Sequence, residues 1–184
     1  MKTLLGFLIA LALISIHTWA ADHTAIVQTP RGANIHLDFY NFGTVDRVLL
    51  VAPGGACDPR LDLYEEVARA AKPKQTMIVR LHWAYCVADP DKGRPSESLK
   101  DEDEDLRTAL SFLVKWMNID EKEIILGGKS LGSIVGHKVF KDRADLKGFL
   151  VMTPVCTRND KNVFDVYYPG LEQETRPVGM IKGD

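Results

Sequence analysis

Residues 123–132 read Glu-Ile-Ile-Leu-Gly-Gly-Lys-Ser-Leu-Gly, and this segment is the strongest indication of the fold. Its apolar first half predicts a buried strand, and the run at 131–140 predicts a helix directly behind it. Ser130 stands at the junction, with Gly128 and Gly132 on either side. A serine at such a turn adopts a strained backbone conformation that exposes its hydroxyl above the end of a sheet. The pattern is typical of a nucleophile elbow.

Two other structures could carry the same residues. A phosphate-binding loop also ends in Gly-Lys-Ser, but it requires a glycine at position 123. Glu123 stands there instead, and its carboxylate would repel a phosphate. The second alternative, an ordinary strand-to-helix turn with a surface serine, stays open at this point.

The composition is that of a single globular domain. The chain has 184 residues, of which 46% are hydrophobic, and this is enough for a real core. The formal net charge of −2 gives no basic excess, so we expect no nucleic-acid partner. The cysteine and histidine spacings match no metal site, and we expect neither a metal nor another cofactor.

The first twenty residues form a separate unit. Lys2 precedes an apolar run at residues 4–16, and Thr18 and Ala20 stand at the −3 and −1 positions of a cleavage site. This predicts a secretory signal peptide over residues 1–20, followed by one domain over residues 21–184. The apolar run is short for a membrane span, which needs about 20 residues. We expect an exported protein, periplasmic or secreted, that meets a membrane only through this segment; an uncleaved anchor is the alternative.

Strands and helices alternate along the rest of the chain. Alternating apolar residues predict an opening antiparallel hairpin, and Val48-Leu49-Leu50-Val51 predicts a strand buried on both faces. Residues 84–97 are polar and predict a loop, and Ser98 with Asp101 predicts the capping box of the next helix. This order predicts a three-layer α/β/α sandwich with a mostly parallel sheet. The predicted strands span residues 24–29, 34–40, 47–52, 75–81, 123–127, 148–152 and 178–181.

A glycine-rich loop, Pro53-Gly54-Gly55-Ala56-Cys57, follows the third predicted strand. A serine that attacks an acyl carbonyl needs two N–H donors for the negative oxygen that forms. One donor is expected from the backbone of Leu131, directly after the serine, and the other from Gly55 or Ala56. Glycines let the loop backbone approach a substrate closely. The alternative is a plain strand-to-helix turn.

The acid and the base of such a site are harder to assign. In such sites the acid follows the nucleophile in the chain and lies just beyond a strand, which predicts Asp184, with Asp160 as the fallback. The alternative is that both are solvated loop residues. No histidine follows His137. His137 lies two helical turns beyond Ser130, about 10 Å of rise, and is predicted to be a packing or surface residue. His82, after the fourth strand, remains as a possible base.

Three cysteines, Cys57, Cys86 and Cys156, are present in the chain. Export permits a disulfide, and the odd number leaves at least one cysteine free or bonded to another chain. Cys57 and Cys86 form a plausible pair, and small buried thiols are the alternative.

The elbow segment, Leu126-Gly127-Gly128-Lys129-Ser130-Leu131-Gly132, resembles that of the α/β-hydrolase superfamily. More narrowly, the chain resembles the small lid-less hydrolases related to dienelactone hydrolase and to the testis-expressed hydrolase-like family. The resemblance covers residues 46–184. It also rests on Val51-Ala52-Pro53-Gly54-Gly55, on Arg80-Leu81-His82-Trp83-Ala84-Tyr85 with Gly93-Arg94-Pro95, and on Gly183-Asp184.

The resemblance implies a serine hydrolase, exported by the signal peptide, that acts on a small ester or similar acyl substrate. Ser130 would be the nucleophile, Asp184 the acid, and Leu131 with Gly55 or Ala56 the oxyanion donors. The resemblance also implies a further strand, a histidine-bearing loop and a last helix after Asp184, so we expect a truncated chain or a degenerate relative. The alternative function is a non-catalytic binding or interaction protein that keeps this fold.

Overall fold

The computed structural model describes residues 21–43, 46–57, 62–159 and 161–181. The signal peptide predicted over residues 1–20 lies outside the described residues, and so do both candidate acids, Asp160 and Asp184.

The described secondary structure follows the predicted alternation of strands and helices. The strands are β1 (His23–Gln28), β2 (Asn34–Tyr40), β3 (Arg47–Ala52), β4 (Thr76–His82), β5 (Ile124–Lys129), β6 (Gly148–Met152), β7 (Thr157–Arg158), β8 (Lys161–Asn162) and β9 (Val178–Ile181). The helices are α1 (Asp62–Ala71), α2 (Ala84–Ala88), α3 (Lys100–Lys115), α4 (Leu131–Asp142) and α5 (Phe164–Tyr167).

One sheet organises the described part of the chain, with strand order β1-β2-β4-β3-β5-β6-β9. β2 pairs antiparallel with β1 and β4, and the neighbours in the run β4-β3-β5-β6-β9 pair in parallel. β7 and β8 form a separate antiparallel pair. The chain order reverses at β3, which lies between β4 and β5. In such sheets a crevice forms outside the carboxyl ends of the strands at the reversal point. The segments that follow β3 and β5 therefore meet there.

Apolar side chains fill both faces of the sheet. The larger cluster lies toward α3 and α4 and includes Leu50, Leu110 and Phe140, all fully buried. The smaller cluster lies toward α1 and includes Tyr64 and Ile78. β3 is buried at every position after its first, because helices cover both of its faces. The predicted three-layer sandwich with a mostly parallel sheet is confirmed.

The segment at 84–97 is not entirely a loop, because its first five residues form α2. The Trp83 carbonyl accepts hydrogen bonds from the N–H groups of Cys86 and Val87, both at 3.0 Å. The buried Asp105 carboxylate accepts the Ala84 N–H at 2.8 Å and so satisfies the start of the helix. Asp105 lies 21 residues from Ala84, so the polarity of the segment at 84–97 predicted a loop.

The predicted capping box of Ser98 and Asp101 is wrong. α3 begins directly after Leu99, whose φ of 54° turns the chain away before the helix starts. Ser96 supplies the cap instead, since its Oγ accepts the Asp101 N–H at 3.4 Å. The buried Glu102 accepts the Ser96 N–H at 3.0 Å and the Ser96 hydroxyl at 2.6 Å. The reciprocal bonding of a capping box is present, but it spans a wider loop.

Within the described ranges, every helix is too short or too polar to cross a bilayer.

Candidate active site

Ser130 lies at a sharp turn between β5 and α4. Its backbone has φ 49° and ψ −120°, a conformation that residues other than glycine rarely adopt. The Ser130 N–H donates to the Met152 carbonyl on β6 at 3.0 Å, which ties the turn to the neighbouring strand. The strained strand-to-helix turn that the sequence predicted is therefore present at the carboxyl edge of the sheet.

The glycines that flank the turn are required by its packing. A Cβ on Gly128 would lie 2.3 Å from the Gly132 carbonyl oxygen. A Cβ on Gly132 would lie 2.3 Å from the carbonyl oxygens of both Ala52 and Pro53. These neighbours are backbone atoms that cannot rotate aside. The first turn of α4 therefore packs directly on the end of β3.

The glycine-rich loop after β3 lies beside Ser130. The position that a Cβ of Gly54 would occupy is 3.7 Å from the Ser130 Cβ. The equivalent position on Gly55 is 3.4 Å from Cδ1 of Leu131. Two segments separated by more than 70 residues of sequence thus form the two walls of one crevice, at the point where the strand order reverses.

The peptide groups of this loop are held from behind. Trp83 Nε1 donates to the Gly54 carbonyl at 3.1 Å, and the Tyr85 hydroxyl donates to the Gly55 carbonyl at 3.0 Å. In a trans peptide the C=O and the N–H point in opposite directions. The N–H groups of Gly55 and Ala56 therefore point away from Trp83 and Tyr85. Among the described residues these two N–H groups have no acceptor, nor has the N–H of Leu131.

A disulfide between Cys57 and Cys86 ties the same loop to α2. The pairing that the sequence made plausible is thereby confirmed. Cys156 is free and exposed. The disulfide, Trp83 and Tyr85 together hold the loop from one side, through α2 and the residue that precedes it.

We expect removal of this disulfide to destabilise the protein and to loosen the glycine-rich loop. The two cysteines are 29 residues apart, and closing a loop of that size stabilises a fold by about 3.5 kcal/mol in the chain-entropy model. Urea unfolding of Cys57→Ala/Cys86→Ala should show a loss of that order. Cys156→Ala is the matched control and should unfold like the wild type. A double variant as stable as the control would contradict the prediction.

His82, the possible base, lies in a charged cluster at the end of β4. Its Nε2 is 2.7 Å from Asp38 Oδ2, and Arg80 Nη2 is 2.8 Å from the same oxygen. Burial tends to raise the pKa of Asp38, but the hydrogen bond and charge of His82, with help from Thr24 and Arg80, lower it to about 2. Among the described residues the polar contacts of His82 are with Asp38 and Arg80, not with Ser130. Its role as a base stays a prediction.

His137 is a packing residue, one of the two roles expected from its spacing. It is 2% exposed, and its ring lies 6.2 Å from that of Phe149 and 5.8 Å from that of Tyr168. Burial, and then the charge of Lys141, lowers the pKa of His137 below its ordinary value. The ring is therefore neutral at pH 7 and belongs to the core.

The end of β9 meets the same edge of the sheet. The Thr153 N–H, just beyond β6, donates to the Ile181 carbonyl at 2.7 Å. β9 ends at Ile181, three residues before Asp184. The described structure thus brings the chain to the carboxyl edge shared with β5, while Asp184 and Asp160 themselves lie outside the described residues.

The crevice at Ser130 is not part of the two larger cavities of the described structure. A groove of about 750 Å³ lies between β1 and α3, and a cavity of about 430 Å³ lies between α3, α4 and the segment around Tyr167. Ser130 lines neither of them. The backbone geometry of the turn and of the glycine-rich loop, not an enclosed volume, distinguishes the site.

Sequence reasoning missed four side chains that hold the site. Trp83 and Tyr85 anchor the glycine-rich loop, and Ser133 and Tyr168 bond to one another behind the turn. Only Ser133 had a local signal, because a serine three residues into a helix can bond back to the carbonyl at its start. The other three act on segments about 30 or more residues away.

No protein-family model matches this sequence, and no curated protein matches it. Solved structures do. The chain is similar to DcsB, solved with a substrate analogue, at a TM-score of 0.58 and 16% identity over 73% of this chain. It is similar to the alpha/beta hydrolase GrgF from Penicillium sp. sh18, at a TM-score of 0.57 and 14% identity over 73% of this chain. It is also similar to a hyperthermophilic esterase from Pyrobaculum calidifontis, at a TM-score of 0.56 and 17% identity over 84% of this chain.

These similarities show that the chain has the α/β-hydrolase fold. The identities are low, so they show the fold alone. The narrower resemblance to dienelactone hydrolase stays a prediction. The match covers 46% of DcsB, 46% of GrgF and 50% of the Pyrobaculum esterase, so the chain spans about half the length of these proteins.

Proposed function

We propose that this protein is a serine hydrolase that cleaves a small ester or similar acyl compound. The observation that carries the proposal is the backbone of Ser130, held at φ 49° beside Gly54. A strained backbone at a residue other than glycine costs free energy, and strain of this kind concentrates at functional sites. The esterase and hydrolase structures that share the fold support the same reaction class.

In this proposal Ser130 Oγ attacks the acyl carbon of the substrate, and its hydroxyl proton passes to water. The bond to the alcohol oxygen breaks as the carbonyl re-forms, and the alcohol leaves after taking up a proton. Water then hydrolyses the acyl-serine and restores the Ser130 hydroxyl. The negative oxygen that develops is stabilised by the N–H of Leu131 and by the N–H of Gly55 or Ala56. Two observations support these donors: all three amides lack acceptors among the described residues, and the loop carbonyls opposite two of them are already bonded. Donors fixed before the reaction need no reorganisation when charge develops. Asp184 would act as the acid, with Asp160 as the fallback, and no metal or cofactor is needed for this chemistry.

We also propose that the protein works outside the cytoplasm. The signal peptide predicted over residues 1–20 carries this part of the proposal. The disulfide between Cys57 and Cys86 supports it, because such bonds persist in oxidising compartments.

The test of the proposed reaction is covalent labelling with a fluorophosphonate. The Ser130 oxygen should attack phosphorus, fluoride should leave, and the hydroxyl proton should pass to water. Trypsin cuts after Lys129 and Lys138, so the labelled peptide at 130–138 contains only two hydroxyl side chains, Ser130 and Ser133. We expect fragmentation to place the phosphonyl group on Ser130. A label confined to other peptides would sink the proposal.

A second candidate function is that of a binding protein that keeps the fold without turnover. The contacts of the described histidines favour it, since His82 is bonded to Asp38 and His137 is buried in the core. A folded sample that stays unlabelled by the fluorophosphonate would support this alternative over the hydrolase.

A further inference from the structure

A chain of hydrogen bonds reaches the back of the turn at Ser130. The Tyr168 hydroxyl lies 2.7 Å from Ser133 Oγ, and Ser133 Oγ donates to the Ser130 carbonyl at 2.5 Å. At the far end, the Val155 N–H donates to the Tyr168 hydroxyl oxygen at 3.0 Å. Three segments thus converge on one peptide group: the loop after β6, the segment after α5, and α4.

The direction of every proton in this chain is determined. The Ser130 carbonyl can only accept, so the Ser133 hydroxyl must donate to it. The Ser133 oxygen then accepts from Tyr168, whose own oxygen accepts from Val155. All the bonds therefore point toward the Ser130 carbonyl, and bonds aligned in this way polarise one another.

The chain is sealed from solvent and has little freedom to rearrange. Ser133 is 0% exposed and Tyr168 is 1% exposed. The Tyr168 ring packs against Phe164 at 4.8 Å and against His137 at 5.8 Å between centroids. Water therefore cannot replace either hydroxyl without opening the core.

The carbonyl at the end of the chain shares a peptide group with the N–H of Leu131. That peptide is planar, so whatever orients the Ser130 carbonyl also orients the Leu131 N–H on the opposite side. The carbonyl accepts a second hydrogen bond from the Ser133 N–H at 2.9 Å. Two donors on the oxygen draw electron density toward it and make the N–H a better donor.

We propose that Tyr168 and Ser133 are positioning residues that aim and polarise the Leu131 N–H for the oxyanion. This inference rests on the proposed hydrolase function, in which Leu131 supplies one oxyanion donor. Trp83 and Tyr85 hold the carbonyls of the facing loop in the same manner, so both walls of the crevice are fixed from behind. The segment at 164–171 then contributes to the reaction without touching the substrate.

The test compares two tyrosine-to-phenylalanine variants. Tyr168→Phe keeps the packed ring and removes only the hydroxyl. Tyr167→Phe is the matched control, because the Tyr167 hydroxyl accepts an exposed bond from Arg158 at 3.1 Å and does not contact the turn. Removing an oxyanion donor costs about 100- to 1,000-fold in rate, and weakening one from behind should cost about tenfold.

Two readouts separate positioning from general stability. The maximal rate of fluorophosphonate labelling should fall about tenfold in Tyr168→Phe while the probe concentration for half-maximal rate is unchanged. The ¹⁵N and ¹H shifts of the Leu131 amide should move in Tyr168→Phe and stay unchanged in Tyr167→Phe. Where Tyr168→Phe fails to fold, Ser133→Ala takes its place, because it removes the donor that contacts the Ser130 carbonyl directly.

Failure of this inference and failure of the hydrolase proposal are distinguishable. A wild type that labels, with Tyr168→Phe labelling as fast or leaving the Leu131 amide unmoved, overturns the positioning role alone. A wild type that never labels rejects the hydrolase proposal. In that case the Leu131 amide decides: a shift specific to Tyr168→Phe supports the positioning role, and no shift overturns it.

Discussion

Replacing Gly132 with alanine is expected to remove a large part of the stability of the fold. The new Cβ would lie 2.3 Å from two backbone carbonyl oxygens, those of Ala52 and Pro53. No side chain can rotate to make room, so β3 or α4 must move and the packing between them is lost. Overpacking against side chains costs about 1–3 kcal/mol, and a clash with backbone on two sides should cost about 4 kcal/mol or more. Domains of this kind have only about 5–15 kcal/mol of total stability.

Gly136→Ala provides the matched control, one turn further along α4. Its Cβ would contact only the Phe149 ring, at 3.0 Å. A shift of the ring by a few tenths of an ångström relieves such a contact. Alanine also favours a helix over glycine by about 1 kcal/mol. We therefore expect the free energy of unfolding of Gly136→Ala to lie within about 1 kcal/mol of that of the wild type. Circular dichroism melts and urea titrations measure both variants. A cooperative, wild-type transition in Gly132→Ala would contradict the close packing of α4 on β3.

Ser130→Ala is expected to lose fluorophosphonate labelling and ester turnover completely while the protein stays folded. In the proposed reaction the hydroxyl oxygen is the atom that attacks, and no described side chain replaces it. Alanine keeps the same strained backbone, so the free energy of unfolding should change by less than about 1 kcal/mol. Labelling by a biotinylated fluorophosphonate and hydrolysis of p-nitrophenyl acetate provide the two measurements. Ser111→Ala on α3, remote from the turn, should label like the wild type.

Ser130→Gly extends the same prediction to the strain itself. Glycine adopts positive φ without penalty, so this variant should be about 1 kcal/mol more stable than Ser130→Ala and equally inactive. That pairing of higher stability with lost chemistry is the expected mark of a residue held in strain for function. Persistent labelling of Ser130→Ala would place the reactive group elsewhere, and equal stabilities of the two variants would argue against backbone strain at this position.

The sequence predicted the elements near the site well, because their signals are local. Leu126, Gly128, Ser130 and Gly132 lie within one short stretch, and the apolar run with its flanking glycines specifies strand, turn and helix without distant partners. The strands at 47–52 and 148–152 were found with the bounds that the structure has, because strands buried on both faces are continuously apolar. The pairing of Cys57 with Cys86 could be suggested only as plausible, since spacing does not determine connectivity.

The errors arose where a tertiary contact or an unusual backbone conformation decides local structure. α2 was predicted as part of a loop because most residues of the segment at 84–97 are polar. The buried Asp105, which accepts the N–H at the start of α2, belongs to α3. The capping box was assigned to Ser98, but the positive φ of Leu99 gives that role to Ser96. The first outcome depends on a residue 21 positions away, and the second depends on a backbone conformation of Leu99 that its side chain does not indicate.

Glycine, serine and apolar spacing act over a few residues, so the sequence was enough to predict that Ser130 stands at a turn between a buried strand and a helix. The surroundings of that turn depend on contacts between distant segments. Gly54 lies beside it because the strand order reverses at β3, and Tyr168 reaches behind it because the segment after β6 folds back onto α4. Hydrogen bonds across such distances in sequence form only after the sheet has brought their partners together, so no local pattern could have predicted them.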